Sequence, residues 1–581
     1  MTLQSEHLPI LHDALDEDED GTDESNPVQS SVDADRRTIA LTILSLAVAA
    51  FTFWREAETE PYHIDELRQV RPYARDLGEL ISRSFSQEQP PLDVIVGARF
   101  QDVLGVGDVI QRSHSMLAGL VALVMISALL WRSRIREGIP AAILLMAILP
   151  GFVSFTAYAR PYALPLALMV GFALASDMWL ERGHRAAAGA ITAIALLLPL
   201  SRVFEPPAFL VLSSLTILWF GRQRPEWGRR VWWPVGSAGL ALLAVEVPVY
   251  LKLQERLTAY QGESTATLAQ QWRRILDDSI PRLAEMFVSG WLALVIAVVA
   301  LASPGVGRRL VRIWWFWPML LTALSFAVAF HIRTQPNQPF YDRYGYYWLP
   351  LFAVLVAVFV QEAIDRWNPR SLSSWTPAIV LVPFVIVSIS GLREDFTSSA
   401  QADFRSLGTE IEARLPPTTT VIYDSFARPA GAYRPGFAGY GRYAVPQRAF
   451  IEVENLPQQA DRIATGDSYV IAANGPVISI PGWSPVPTSE NMTLYLPDGD
   501  RSGPEQLAED LATFGLALEP RFGAVLRVGA ASMLFSIGQT AEGCGVLEAL
   551  LRNDPDLEEF MVDALASSEF SLEAESCALT E

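Results

Sequence analysis

The sequence is short of charge and of cysteine. Of its 581 residues only 19% are Asp, Glu, Lys or Arg, against 51% apolar, and mean hydropathy is positive. That scarcity excludes a string of ordinary soluble domains, whose helices each need a charged face toward water. Basic residues sit in short clusters between apolar runs, a distribution that excludes a nucleic-acid partner. No internal repeat is present in the segment from Arg393 to Glu581. Cys544 and Cys577 are the whole cysteine complement. They can form one disulfide if their segment faces an oxidising compartment and can equally stay reduced if it does not.

What the chain does contain is long apolar runs. From Thr38 to about Leu392 these alternate with short Arg-rich or Pro-rich segments. A bilayer span takes roughly 20 mostly apolar residues at about 1.5 Å of rise each. Val235–Leu251, Trp291–Ser303, Trp314–Phe330 and Pro350–Val360 lie in or fill such runs and are apolar all round. The pattern predicts a polytopic α-helical membrane protein of about eleven transmembrane helices. Ahead of them, residues 1–37 read as a disordered acidic tail, with eleven acidic residues from Glu6 to Asp35 and the run Asp16-Glu17-Asp18-Glu19-Asp20.

Short loops rich in Lys and Arg stay on the cytoplasmic side. The connections Arg132–Arg136, Glu181–Arg185, Arg222–Arg230, Arg308–Arg312 and Asp365–Arg370 are dense in arginine. The alternate connections are Arg55–Gln111, Tyr158–Pro161, Ser201–Pro207, Lys252–Leu283 and His331–Tyr347, mostly longer and richer in aromatics and proline. The alternation predicts a cytoplasmic N-terminus, a transmembrane body over 38–392 with an external loop 55–111, and an extracytoplasmic domain over 393–581. A multi-pass protein of the bacterial cytoplasmic membrane follows, in contact with membrane lipids. The C-terminal domain reads as mixed α/β. Strands are expected at Thr420–Tyr423, Ser468–Ala472 and Val477–Ile480, helices at Glu505–Phe514 and Gly545–Leu551, and a packed loop at Phe426–Tyr443.

Polar chemistry gathers on the external side. Tyr62-His63-Ile64-Asp65-Glu66 follows the first span, and the same loop carries Gln89-Pro90-Pro91-Leu92. Arg112-Ser113 opens the second span, Tyr158-Ala159-Arg160-Pro161-Tyr162 closes the third, and Phe340-Tyr341-Asp342-Arg343-Tyr344 precedes the tenth. In this order the motifs resemble the GT-C superfamily of lipid-phosphate-dependent glycosyltransferases, most of all the branch with protein mannosyltransferases and aminoarabinose transferases. The resemblance covers roughly 38–392. It departs from the family where a usual His-Pro-Pro is Gln89-Pro90-Pro91 and a common aromatic is Asp93.

The resemblance implies transfer of a sugar from a polyprenyl-phosphate donor to a glycan, lipid or protein acceptor. A base must deprotonate the acceptor hydroxyl as it attacks the anomeric carbon. Asp65 is the candidate, and direct displacement would invert the anomeric configuration. Glu66 beside it has three readings: steering the acceptor, holding a divalent metal ion with Asp65, or plain solvation. The leaving phosphate needs cations at the membrane face, and a guanidinium matches its oxygens bidentately. Arg160 and Arg343 lead that set, Tyr344 is the aromatic expected at the donor, and Arg202, Lys252, His331 and Arg333 follow at the same level. For each, snorkelling to lipid headgroups is the competing reading. A transporter or flippase of lipid-linked sugars is the alternative function, with Glu246 the one carboxylate well inside an apolar run.

Overall fold

The computed structural model describes residues 27–59, 66, 77–86, 90–105, 108–252, 297–300, 302–333, 345–367, 413–415, 419–423, 450–452, 468–474, 477, 479–489, 492–499, 501–517, 520–553 and 577. Asp65, Arg343, Tyr344, the acidic run at 16–20, most of the expected eighth span, the eleventh span and the 426–443 loop lie outside them.

The membrane body is built from α1 (Pro27–Thr59), α2 (Leu77–Ser86), α3 (Pro91–Leu104), α4 (Asp108–Arg132), α5 (Ile139–Ile148), α6 (Pro150–Ala157), α7 (Ala163–Arg182), α8 (Arg185–Leu197), α9 (Glu205–Gln223), α10 (Trp232–Ala241), α11 (Pro304–Arg312), α12 (Phe316–Arg333) and α13 (Trp348–Trp367). Among the described residues five helices are long and apolar enough to cross a membrane, or seven if each of two bent pairs counts as one span. The bent pairs are α5 with α6, broken by 70° at the Leu149–Pro150 step, and α11 with α12, broken by 96°. Pro150 has no N–H to give the preceding turn, which ends one helix and starts the next.

Two expected boundaries move. The helix α1 begins at Pro27, inside the segment read as a disordered tail, where Pro suits a first helical position. Its extension is tied down by Asp35, which accepts from Arg136 at 2.9 Å. The stretch Arg308–Arg312, expected as a loop, belongs to α11, which packs Val306 and Leu310 inward while Arg308 and Arg312 stay exposed.

Helices in lipid gain little from hydrophobicity against one another, so close approach and interhelical hydrogen bonds hold the bundle. Ser45 and Thr52 of α1 donate to the carbonyls of Pro140 and Ala147 in α5, at 3.3 and 2.9 Å. A Cβ at Gly138 would overlap the Ala357 carbonyl, so the turn before α5 meets the backbone of α13 directly.

The C-terminal domain carries a five-stranded mixed sheet in the order β2-β1-β3-β5-β4. The strands are β1 (Thr420–Tyr423), β2 (Phe450–Glu452), β3 (Tyr469–Asn474), β4 (Trp483–Ser489) and β5 (Met492–Pro497). β1 pairs in parallel with β2 and β3, and β5 runs antiparallel to β3 and β4. Expected strands at 420–423 and 468–472 are present as β1 and β3. The Val477–Ile480 strand is replaced by a single bridge from Ile480 to Trp483. Helices α14 (Pro504–Ala517), α15 (Pro520–Ser536) and α16 (Thr540–Asn553) complete the domain. Phe514 of α14 packs edge-on against Trp483 and Tyr495, centroids 5.1 and 4.9 Å away. Cys544 of α16 is disulfide-bonded to Cys577.

Candidate functional site

Glu66 ties several helix ends together. Its carboxylate accepts from Arg112 Nε at 2.9 Å and Arg112 Nη2 at 2.8 Å, and from the backbone N–H of Ala159 at 2.7 Å. Arg112 Nη1 also donates to the Ala57 carbonyl at 2.9 Å. Both side chains are wholly buried. The pair therefore joins the end of α1, the start of α4 and the turn between α6 and α7. Burial removes the solvated reading of Glu66. Three donors already occupy most of the lone pairs on its two oxygens, and Asp65, the expected partner for a metal, lies outside the described residues.

The Ala159 contact fixes the segment that carries Arg160. Here the backbone turns tightly, with Arg160 N–H donating to the Tyr158 carbonyl at 2.8 Å and Tyr162 N–H to the Arg160 carbonyl at 2.7 Å. Tyr162 then supports Arg202, whose guanidinium lies 4.9 Å over its ring and 5.6 Å over the ring of Tyr347. Arg202 also donates to Tyr347 Oη at 3.3 Å and pairs with Glu205 at 3.1 Å. Behind the cage, Tyr346 stacks on Phe152 at 5.2 Å and shares a 2.9 Å hydrogen bond with Thr156. Tyr346 and Tyr347 are buried against the bundle rather than anchored in the bilayer interface.

Lys252 reaches the 55–111 segment as well, its Nζ 4.4 Å above the Phe85 ring of α2. His331 and Arg333 are on the last turn of α12, and their side chains lie outside the described residues. The structure thus gathers Glu66, Arg160 and Arg202 around one end of the bundle, with Lys252 against its first loop.

Sequence reasoning missed three partners. Arg112 was quoted as a motif letter, although a lone arginine opening an apolar span signals a buried acid nearby. Tyr162 stands in the sequence motif with no partner assigned, and Glu205 carries no expectation although it is an acid in the first turn of an apolar helix. A further buried contact, His114 Nε2 to Asp93 Oδ2 at 3.5 Å, holds α3 on α4 and explains why an acid can stand at 93.

No protein-family model matches the chain, and no curated protein matches it. Among solved structures it is similar to ArnT from Cupriavidus metallidurans bound to undecaprenyl phosphate, at 14% identity and a TM-score of 0.47, covering 78% of this chain and 97% of ArnT. The apo state of the same protein gives a TM-score of 0.48 at 14% identity, with the same coverage. The apo Archaeoglobus fulgidus oligosaccharyltransferase is similar at 12% identity and a TM-score of 0.43, over 74% of this chain and 69% of that one. Scores below 0.5 carry no argument about activity. The chain's own fold and site define a polytopic α-helical membrane protein whose buried polar network gathers at one end of its bundle.

Proposed function

We propose that the protein is a GT-C-type glycosyltransferase that moves a sugar from a polyprenyl-phosphate donor to an acceptor outside the cytoplasmic membrane. The observation that carries this reading is the Glu66 clamp. It holds Glu66, the residue after Asp65 in sequence, on the turn that bears the phosphate-matching cation Arg160. Asp65 acts as the base and the reaction inverts the anomeric carbon. Arg160 and Arg343 receive the departing phosphate, with Arg202, Lys252, His331 and Arg333 around them and Tyr344 against the donor. Glu66 is a positioning residue. The N-terminus is cytoplasmic and the C-terminal domain extracytoplasmic, in keeping with its disulfide.

The test is transfer from radiolabelled polyprenyl-phosphate sugars by the reconstituted protein. Asp65→Asn should lower the transfer rate by roughly 10²–10⁴-fold with donor binding retained, the usual cost of losing a general base. Transfer at the wild-type rate removes Asp65 from that role. Lipid-linked sugar that crosses the bilayer without transfer supports the flippase reading instead.

A further inference from the structure

At the opposite end of the bundle is a cleft of about 580 Å³, within the usual size of a ligand site. The helix α7, at about 1.5 Å per residue, sets it roughly 30 Å from Arg160. Six arginines and three carboxylates line it, an excess of three positive charges. The carboxylates are already committed. Arg132 pairs with Asp177 at 2.5 Å and with Glu181 at 2.9 Å, and Arg309 pairs with Glu362 at 2.7 Å. Arg134, Arg224, Arg308 and Arg312 have no carboxylate within ion-pair distance among the described residues, although Arg224 stands close enough to Glu181 to favour its charged form. Arg308 bonds only the Pro304 carbonyl, through Nε at 3.2 Å, and its terminal nitrogens make no other hydrogen bond among them.

The cleft is rigid as well as cationic. Trp314 and Trp315, each 2% exposed, donate to Asp177 Oδ1 and Ser133 Oγ, both at 3.1 Å. Arg224 is held by the Arg312 carbonyl at 3.0 Å and stacks 5.0 Å over Trp227. Arg134 stands at φ 60°, the one non-glycine with positive φ among the described residues. It closes α4 with Arg134 N–H on the Trp131 carbonyl and Ile135 N–H on the Leu130 carbonyl, at 3.1 and 2.9 Å. Glycine is the usual residue at that position, and strain of this kind clusters at ligand clamps. Four guanidiniums outside ion-pair distance of any described carboxylate, on an aromatic floor at a bundle end, match the anionic oxygens of a phosphate. Basic pockets between membrane helices take phospholipid headgroups in the same way.

We propose that this cleft binds the phosphate of an anionic ligand, on the face opposite the transfer site. The ligand is either an anionic phospholipid headgroup or a soluble phosphate ester, and one experiment separates them. The full-length protein in detergent is titrated with phosphatidylglycerol, phosphatidylcholine or pyrophosphate, with bound ligand read by native mass spectrometry. Wild type should retain phosphatidylglycerol and not phosphatidylcholine. The R308Q/R312Q variant should bind it at least about tenfold more weakly, given about a factor of five for each arginine near an anionic headgroup. Both positions are exposed, so folding should persist. R222Q/R229Q removes equal charge from exposed positions outside the cleft and should change affinity by less than about twofold. Pyrophosphate that binds without lipid and is lost in R308Q/R312Q assigns a soluble phosphate, and pyrophosphate that fails to displace phosphatidylglycerol assigns the lipid. Equal weakening in the two double variants, equal retention of the two phospholipids, or no binding of either anion overturns the proposal.

Discussion

At the Glu66 end of the membrane body both members of the ion pair are 0% exposed. At the cleft end, Arg309 and Asp365 keep 29% and 42% of their side-chain surface. The chemistry is the same guanidinium and carboxylate, and the surroundings decide what it is worth. A buried charge that loses its partner stays in a low-dielectric interior with nothing to neutralise it, whereas an exposed one falls back on water. Glu66 and Arg112 therefore act as a structural lock. Arg309 and Asp365 at the other end keep contact with water, and the arginines around them leave positive charge over for a ligand.

Three substitutions test that contrast. Glu66→Gln should cost about 3–5 kcal/mol of stability in thermal unfolding of the detergent-solubilised protein, because Arg112 is left as an uncompensated buried charge. A loss under about 1 kcal/mol would place Glu66 in the exposed-pair class and break the comparison. Arg202→Lys keeps the charge and loses the flat guanidinium between Tyr162 and Tyr347, so it should cost about 1–2 kcal/mol and raise the donor KM more than it lowers kcat. Arg309→Gln should cost no more than about 1 kcal/mol, measured the same way.

Much of the body could be read from the chain. Apolar runs flanked by arginine place α4, α7 and α13 closely, since hydropathy and length suffice for a helix in lipid. Interruptions inside such runs were harder to see. Pro150 breaks its helix by lacking an N–H and Ile313 by taking an extended backbone, and a hydropathy window averages over both. In the C-terminal domain β4 was missed because Pro485 and Pro487 argue against a strand. They are tolerated there because β4 pairs only with β5, at the edge of the sheet. At the candidate site the acids and arginines were legible as residue types, and their pairing was not. Glu66 and Arg112 are 46 positions apart, a separation that only the packing of α1, α4 and the α6–α7 turn can close.

The Cys544–Cys577 bond accounts for both cysteines, and no free thiol remains. In its oxidised state the natural protein is thus already silent to maleimide reagents. A single cysteine placed in any loop becomes its one reactive handle, so the sidedness of every connection can be mapped without first stripping the native pair.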